Sequence, residues 1–304
     1  MKPKWIFAAL LLVATLAAFW FLRPESGPGA LGTRAHALTG EILAHGPRPP
    51  GSAALDKVKG HLAKELEAKG WITRLQEFER DTPIGKVRFS NLRARIAVET
   101  TDTWERPVRG ILCAHIDSKY FKDKEFLGAD DAASACAAVV VIANHLARHD
   151  RSQAEQLELV FFDGEEAFAK DMTILDGLYG SRHYANMWRS QENKPEFGIL
   201  LDMIGHKDLS IRIPSDSPED LAEMMFSAAE EQGVEKHFGT APGPIMDDHV
   251  PLNLVGIPTI DIIGDFSRKG WWHTAGDNGA IISAESLAIS IGVVLEMLDG
   301  LLGE

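Results

Sequence analysis

Seven polar residues fall at the ends of apolar runs or on the loops just after them: His115, Asp131, Glu165, Glu166, Asp202, Asp247 and His273. The most informative stretch is Leu157 to Phe168, L-E-L-V-F-F-D-G-E-E-A-F, where an apolar run meets Asp163-Gly164 and then presents two adjacent carboxylates. The run reads as a buried strand ending at a turn. Adjacent residues leaving a strand point in different directions, so one glutamate can hold a metal while its neighbour moves a proton. An isolated Glu-Glu pair is more often a solvated acidic turn, and His115, Asp131 and Asp202 taken singly read as a core histidine, a helix cap and a turn former. Their joint arrival at equivalent ends of successive strands points instead to a site, because ligands of open α/β sheets bind at the carboxyl ends of the strands. A mixed carboxylate and imidazole set suits zinc, whose catalytic sites usually keep three protein ligands and one open position. No thiolate is needed, and neither Cys113 nor Cys136 lies at a ligand spacing.

The elements that must position these residues are legible in outline. Residues 34–45 carry apolar side chains at helical spacing, and Ser52 caps a second helix striped by Leu55, Val58, Leu62 and Leu66 until Gly70 stops it. Strand-like runs follow at 72–78, 87–98 and 108–116, the third delivering His115 and Asp117 to its carboxyl end. Asp130 and Asp131 sit where a loop becomes the alanine- and valine-rich helix 135–148, near unpaired backbone N–H groups that can orient a carboxylate. Further strands are expected at 197–202, again ending in an aspartate, and at 257–263, with helices at 221–232 and 284–302. Strands alternating with helices predict a three-layer α/β fold with a mostly parallel central sheet and helices on both faces. The early strands, joined without a helix between them, predict an antiparallel edge.

Of 304 residues, 45% are hydrophobic and 25% charged, an ordinary globular composition. The formal net charge of -13 argues against nucleic acid or an anionic membrane surface as the main partner and favours a small or peptidic ligand. The amino end differs: Lys2 and Lys4 precede an uncharged run from Trp5 to Leu22, followed by Arg23-Pro24-Glu25 and a flexible-looking Ser26-Gly27-Pro28-Gly29-Ala30. That run is about long enough to span a bilayer, and Phe19, Trp20 and Phe21 occupy the place where a small-x-small cleavage site would fall. The expectation is a transmembrane anchor over residues 1–25, a linker over 26–33 and a catalytic domain over 34–304. With the lysines inside, that domain lies outside the cytoplasm, in a periplasmic, lumenal or extracellular space, or is secreted if the anchor is cut. There the two cysteines could form a disulfide or remain buried thiols.

Seven collinear motifs then carry a resemblance: H-I-D-S-K-Y-F from His115, G-A-D-D-A from Gly128, F-F-D-G-E-E-A-F from Phe161, L-Y-G-S-R-H from Leu178, L-L-D from Leu200, D-D-H-V-P from Asp247 and W-H-T from Trp272. With P-P-G-S at Pro49 and F-S-N at Phe89, residues 34–304 resemble the animal-type glutaminyl-peptide cyclotransferases, or glutaminyl cyclases, which share the fold of zinc aminopeptidases. The resemblance implies one catalytic zinc held by Asp131, Glu166 and His273, with Glu165 as the proton-transfer residue and Asp202 and Asp247 as the carboxylates around it. Trp272, with Asp202, Asp247 and His115, is implied to face the substrate. The implied reaction closes an amino-terminal glutamine of a peptide or protein onto its own amine, giving pyroglutamate and ammonia.

The match departs from that family in three places. The family's pocket tryptophan after the Glu-Glu pair is replaced by Ala169-Lys170-Asp171-Met172, which leaves substrate affinity the least secure expectation. The family's usual disulfide partner falls on Ala114 rather than Cys113, a step that turns a strand side chain to the opposite face, so no bridge to Cys136 is expected. Asp130-Asp131 looks more like the aminopeptidase form of its motif. His115, Asp131, Glu166, Asp202 and His273 would also serve a two-zinc aminopeptidase with Glu165 activating a bridging water, which is the alternative reading. A catalytically dead receptor-like ectodomain is disfavoured, because every metal and proton-transfer position is kept.

Overall fold

The computed structural model describes residues 27–98, 102–173, 175–268 and 270–303. Its elements in chain order begin with helices α1 (Pro28–Leu43) and α2 (Ala53–Glu67) and the hairpin β1 (Trp71–Thr82) and β2 (Gly85–Ile96). Strand β3 (Gly110–His115) follows, then a tight helical turn over Ala129–Ser134 that runs into α3 (Ala135–His149), the short α4 (Arg151–Glu155) and β4 (Leu157–Phe162). Helix α5 (Tyr179–Trp188), β5 (Phe197–Asp202), β6 (Ile211–Ile213), α6 (Glu219–Glu231), β7 (Phe238–Thr240), α7 (His249–Leu254), β8 (Thr259–Ile263) and α8 (Ala284–Leu302) complete the chain.

The main sheet has the order β1-β2-β4-β3-β5-β8, with β4, β3, β5 and β8 parallel and β1 and β2 antiparallel at one edge. Pairings of Leu112 with Leu159 and Ile199, and of Ile199 with Ile260, set one row of side chains across the sheet. Side chains of a strand alternate between faces, so that row meets helices α1, α2, α3, α6 and α8 in the larger core, with Leu38, Leu62, Ile142, Ile291 and Val294 fully buried there. The next row, Cys113, Val160 and Leu200, packs with Tyr184 of α5 and Leu252 of α7 on the other face. Helices on both faces of a mostly parallel sheet are what the alternating sequence predicts.

Two short strands, β6 and β7, pair parallel in a separate small sheet. Three-residue strands are too short to show a period, so the sequence pattern marks these stretches only as connections. The expected linker is also corrected: from Pro28 onward it is helix, because proline at a first helical position lacks only an N–H that has no helical partner there. Gly32 lets that helix lie against α8, since a Cβ on it would stand 2.2 Å from the Ala284 carbonyl oxygen. The expected membrane-spanning run, 5–22, lies outside the described residues, and among the described residues no helix is long and apolar enough to cross a membrane. The Cys113 and Cys136 thiols are unbridged and donate to the carbonyls of Ile199 and His115.

One buried ion pair ties α2 to the far end of β4. Lys59 donates to the Asp163 carboxylate at 2.7 Å, with the Ser90 N–H on the same oxygen at 2.7 Å and the Asn91 side chain receiving the Asp163 N–H at 3.0 Å. The F-S-N motif thus clamps the turn that follows β4. Replacing Lys59 by Met leaves a buried carboxylate without its cation, and the expected loss is about 3 kcal/mol. Urea denaturation checks this, and a loss under about 1 kcal/mol would show that the pair is dispensable.

Candidate metal centre

The parallel strands fan out from β3, with β4 on one side and β5 on the other, so their connections reverse there and leave a crevice at the carboxyl ends. Each polar residue singled out in the sequence, apart from Asp247, is carried to that crevice by the end of β3, β4, β5 or β8 or by the loop that follows it. Asp247 arrives just ahead of α7.

Two triads form, and they share Asp131. His273 Nε2 lies 3.2 Å from Glu166 Oε1 and 3.5 Å from Asp131 Oδ2. His115 Nε2 lies 3.2 Å from Asp131 Oδ1 and 3.3 Å from Asp202 Oδ1. Within each triad one donor atom per residue lies within 4.8 Å of the others. Around a tetrahedral zinc, oxygen and nitrogen ligands at about 2.0–2.2 Å stand roughly 3.3–3.6 Å apart. The donor set and its spacing therefore fit a zinc-like ion, and a carboxylate with one oxygen in each triad fits a bridge between two.

Backbone amides aim these groups. The Asp117 carboxylate accepts the N–H groups of Gly164, Glu165 and Glu166 at 3.0, 3.2 and 3.4 Å, which hooks the Glu-Glu turn onto the end of β3. The turn needs Gly164, whose φ is 85° and whose Cβ would stand 2.5 Å from the Phe89 ring. Asp277 does the same for the other loop, accepting from Ala129, Asp130 and Asp131 at 3.0, 2.8 and 3.2 Å. Below that loop the buried Arg48 guanidinium donates to the carbonyls of Ile116, Leu127 and Gly128. Leu178, Met203 and His273 hold left-handed backbone at φ of 53°, 50° and 55°, and all three border the crevice or the Glu-Glu turn. Such conformations cost a non-glycine residue about 1 kcal/mol and persist where the surroundings impose them.

Above the triads lies a cavity of ≈ 340 Å³ lined by Asp131, Glu165, Glu166, Asp202, Asp247, Trp272 and His273. Trp272 stacks on the His273 ring at 3.9 Å and is 39% exposed, so it forms a wall. Lys119 donates to Glu166 at 3.1 Å and to the Ala167 carbonyl at 3.0 Å. His115 is the exception among the residues expected to face substrate: it is 1% exposed and lies behind Asp131 and Asp202 rather than in the cavity wall. Being the last residue of β3, it is covered by the loops that its neighbours start.

Burial dominates the electrostatics. It raises the Glu165 carboxyl well above its ordinary range, with the charges of Glu166, Asp247 and Asp248 adding to the rise and His115 opposing it. Burial likewise raises Asp202 well above the usual carboxylate range and raises Asp247. Asp131 goes the other way: against burial, the hydrogen bond from His115 and the charges of His115, His273 and Lys119 hold it down. The sequence reading missed Asp117, Lys119, Asp277 and Arg48 as parts of the site. Asp117 and Lys119 stand inside the H-I-D-S-K-Y-F motif and could have been taken from it, whereas Asp277 acts through backbone amides nearly 150 positions earlier and leaves no local signal.

The family model described as Peptidase family M28 matches residues 94–298. The glutaminyl-peptide cyclotransferase of Boiga irregularis is 30% identical over 76% of this chain and 70% of its own length. A crystal structure of an Acidobacteriales bacterium glutaminyl cyclase superposes with a TM-score of 0.78 at 30% identity, covering 89% of this chain and 94% of that one. A Zn-dependent exopeptidase from Parabacteroides distasonis gives the same TM-score of 0.78 at 28% identity over 90% and 98%.

Asp277 supplies a direct test of the aiming argument. Asp277→Ala leaves three N–H groups beside Asp131 without their acceptor, and zinc affinity is expected to fall roughly 10- to 100-fold. Competition with a metal indicator reads this, and unchanged affinity would show that the loop holds its shape without the carboxylate.

Proposed function

This chain belongs to peptidase family M28 and to the glutaminyl-peptide cyclotransferases, and we propose that it closes the amino-terminal glutamine of peptides onto the glutamine's own side chain, releasing ammonia. The observation that carries the reading is Glu165, a buried carboxyl raised well above its usual range, in one ≈ 340 Å³ cavity with Asp131, Glu166 and His273. A cavity of that size suits one terminal residue and its amide.

Asp131, Glu166 and His273 would hold a single zinc. With zinc bound, the centre has a Lewis acid for the side-chain amide oxygen. Glu165 accepts a proton as the α-amine attacks the amide carbon, then delivers one to the amide nitrogen, which leaves as ammonia while the new C–N bond remains. A buried carboxyl with raised proton affinity suits both halves of that transfer. Glu166, Asp247 and Asp248 add to the raised proton affinity of Glu165, Asp202 lines the same cavity, and Trp272 offers a flat wall to the glutamine side chain. The attack is intramolecular, so confining the chain end in its reactive conformer supplies much of the remaining rate.

A second reading, a two-zinc aminopeptidase, is favoured by the way the two triads share Asp131 and by the likeness to the Zn-dependent exopeptidase. One assay separates them: a Gln-initiated and a Leu-initiated peptide are each incubated with the zinc-loaded protein. Ammonia and a blocked amino terminus from the first are expected; free leucine from the second would instead establish the peptidase. Glu165→Gln is expected to keep its zinc and lose at least about 100-fold in kcat, and full turnover in that variant would remove Glu165 from the reaction. Asp131→Ala and His273→Ala are expected to lose the metal on elemental analysis, whereas a mole of zinc retained in either would undo the ligand assignment.

The lysine-flanked run 5–22 supports an anchor that places the catalytic part outside the cytoplasm. Full-length chain staying with membranes through alkaline carbonate extraction is the expected result; release into the supernatant would rule out the anchor.

A further inference from the structure

A second hollow, ≈ 680 Å³ in volume, runs between α5 and α7 directly beside the catalytic cavity. Met246 lines both, and the loop after the Glu-Glu turn divides them: Lys170, Asp171 and Met172 face the cavity, and Thr173, Leu175 and Gly177 face the groove. The dividing loop is pinned to the catalytic turn, since the Leu178 N–H donates to the Glu165 carbonyl at 2.8 Å. A chain end seated in the cavity can therefore continue into the groove over Met246.

The groove has a chemical character of its own. Leu175 and Leu254 leave 79% and 82% of their surface open at its edges. Arg80, Arg182 and Arg189 line it, and among the described lining residues the one carboxylate, Asp81, already lies 3.4 Å from the Lys86 ammonium. A chain with a net charge of -13 thus presents a locally cationic trough against the catalytic pocket. The length of α5, ten residues or about 15 Å, matches roughly four residues of extended peptide.

We propose that this groove binds the residues that follow the amino-terminal glutamine and selects substrates carrying acidic side chains among the next four or so positions. The proposal rests on the cyclotransferase reading. Leucine edges take up apolar side chains of the peptide, and the arginines pair with its carboxylates at the rim, where charge acts on encounter and selectivity more than on tight binding. Such rim pairs are screened by salt.

The experiment compares three substrates of the zinc-loaded full chain: an eight-residue Gln-peptide with Asp and Glu at positions three to five, the same peptide with Lys there, and glutamine amide, which cannot reach the groove. Wild-type kcat/KM is expected to favour the acidic peptide over the basic one by roughly fivefold at low ionic strength, mostly through KM, with the preference fading in 0.5 M salt. Arg189→Glu should abolish or invert the preference and leave glutamine amide turnover unchanged. An acidic-to-basic ratio that Arg189→Glu does not move overturns the proposal. Binding of the labelled acidic peptide to the Glu165→Gln protein, read by fluorescence anisotropy with and without Arg189→Glu, keeps the two readings apart. If no substrate is cyclised yet binding falls with Arg189→Glu, the groove stands and the cyclotransferase reading fails; if glutamine amide is cyclised and binding ignores Arg189, the groove fails alone.

Discussion

A crowd of carboxylates sealed into one small volume is the constraint to which the rest of this molecule answers. Asp131, Glu165, Glu166, Asp202, Asp247 and Asp248 are all buried around the carboxyl ends of β3, β4, β5 and β8, with Asp261 buried just below them within β8. Two unit charges 4 Å apart repel by about 4 kcal/mol at an effective dielectric of about 20, while a whole domain is stable by only about 5–15 kcal/mol. Few of these groups can stay ionised together without compensation. Part of it comes from protons, since burial raises Glu165, Asp202, Asp248 and Asp261 well above the usual range. Lys119 and His115 contribute cationic partners, and the two triads contribute places for a divalent ion.

That solution explains why so much of the chain serves to aim rather than to react. Asp117 and Asp277 lie near or under the crevice and receive backbone N–H groups from the loops that carry Glu165, Glu166 and Asp131, while Asp163, at the head of the Glu-Glu turn, receives the Ser90 N–H of β2. Loops held by carboxylates on their amides cannot drift when a ligand or a proton changes the charge above them. Arg48 and Lys59 then supply the buried cations that these lower carboxylates and carbonyls require. The cost falls on helices α1 and α2, which must dock closely enough to deliver Arg48 from their connection and Lys59 from α2 itself, and Gly32 gives α1 the close approach to α8 that anchors the pair.

The sequence made the crevice residues legible because most of them stand at strand ends, where an apolar run stops and a polar side chain begins. Glu165 and Glu166 are visible beside F-F-D-G, and Asp202 beside F-G-I-L-L, without any knowledge of their neighbours. The supporting layer was hidden for a physical reason: Asp277 and Asp117 act on backbone N–H groups, which every residue has, so nothing at the receiving end marks the contact. Asp261 was hidden differently. It occupies a core strand in the row of Cys113, Val160 and Leu200, where the pattern asks for an apolar residue, and it lies beside Asp247 and His249. The short pair β6 and β7 and the early start of α1 escaped because a few residues cannot display a period and because proline and glycine read as linker.

The missing pocket tryptophan shows how the two hollows depend on one another. In the animal enzymes that this chain resembles, a tryptophan after the Glu-Glu pair closes one side of the substrate pocket. Here the same stretch offers Lys170, Asp171 and Met172 to the cavity, and Met172 is held in place beneath Gly177, where a Cβ would stand 2.7 Å from its Cγ. Losing a flat aromatic wall removes contact area from the terminal residue, and with it a share of the binding energy that orders the reactive conformer. That energy must come from elsewhere if the intramolecular attack is to keep its advantage. The groove across Met246 is an adjoining surface able to provide it, because contacts made by later residues of a peptide can hold its amino terminus in place. A site with a bare wall and a cationic groove beside it therefore gains more from a long substrate than from a short one, and its selectivity moves outward from the glutamine to the sequence that follows.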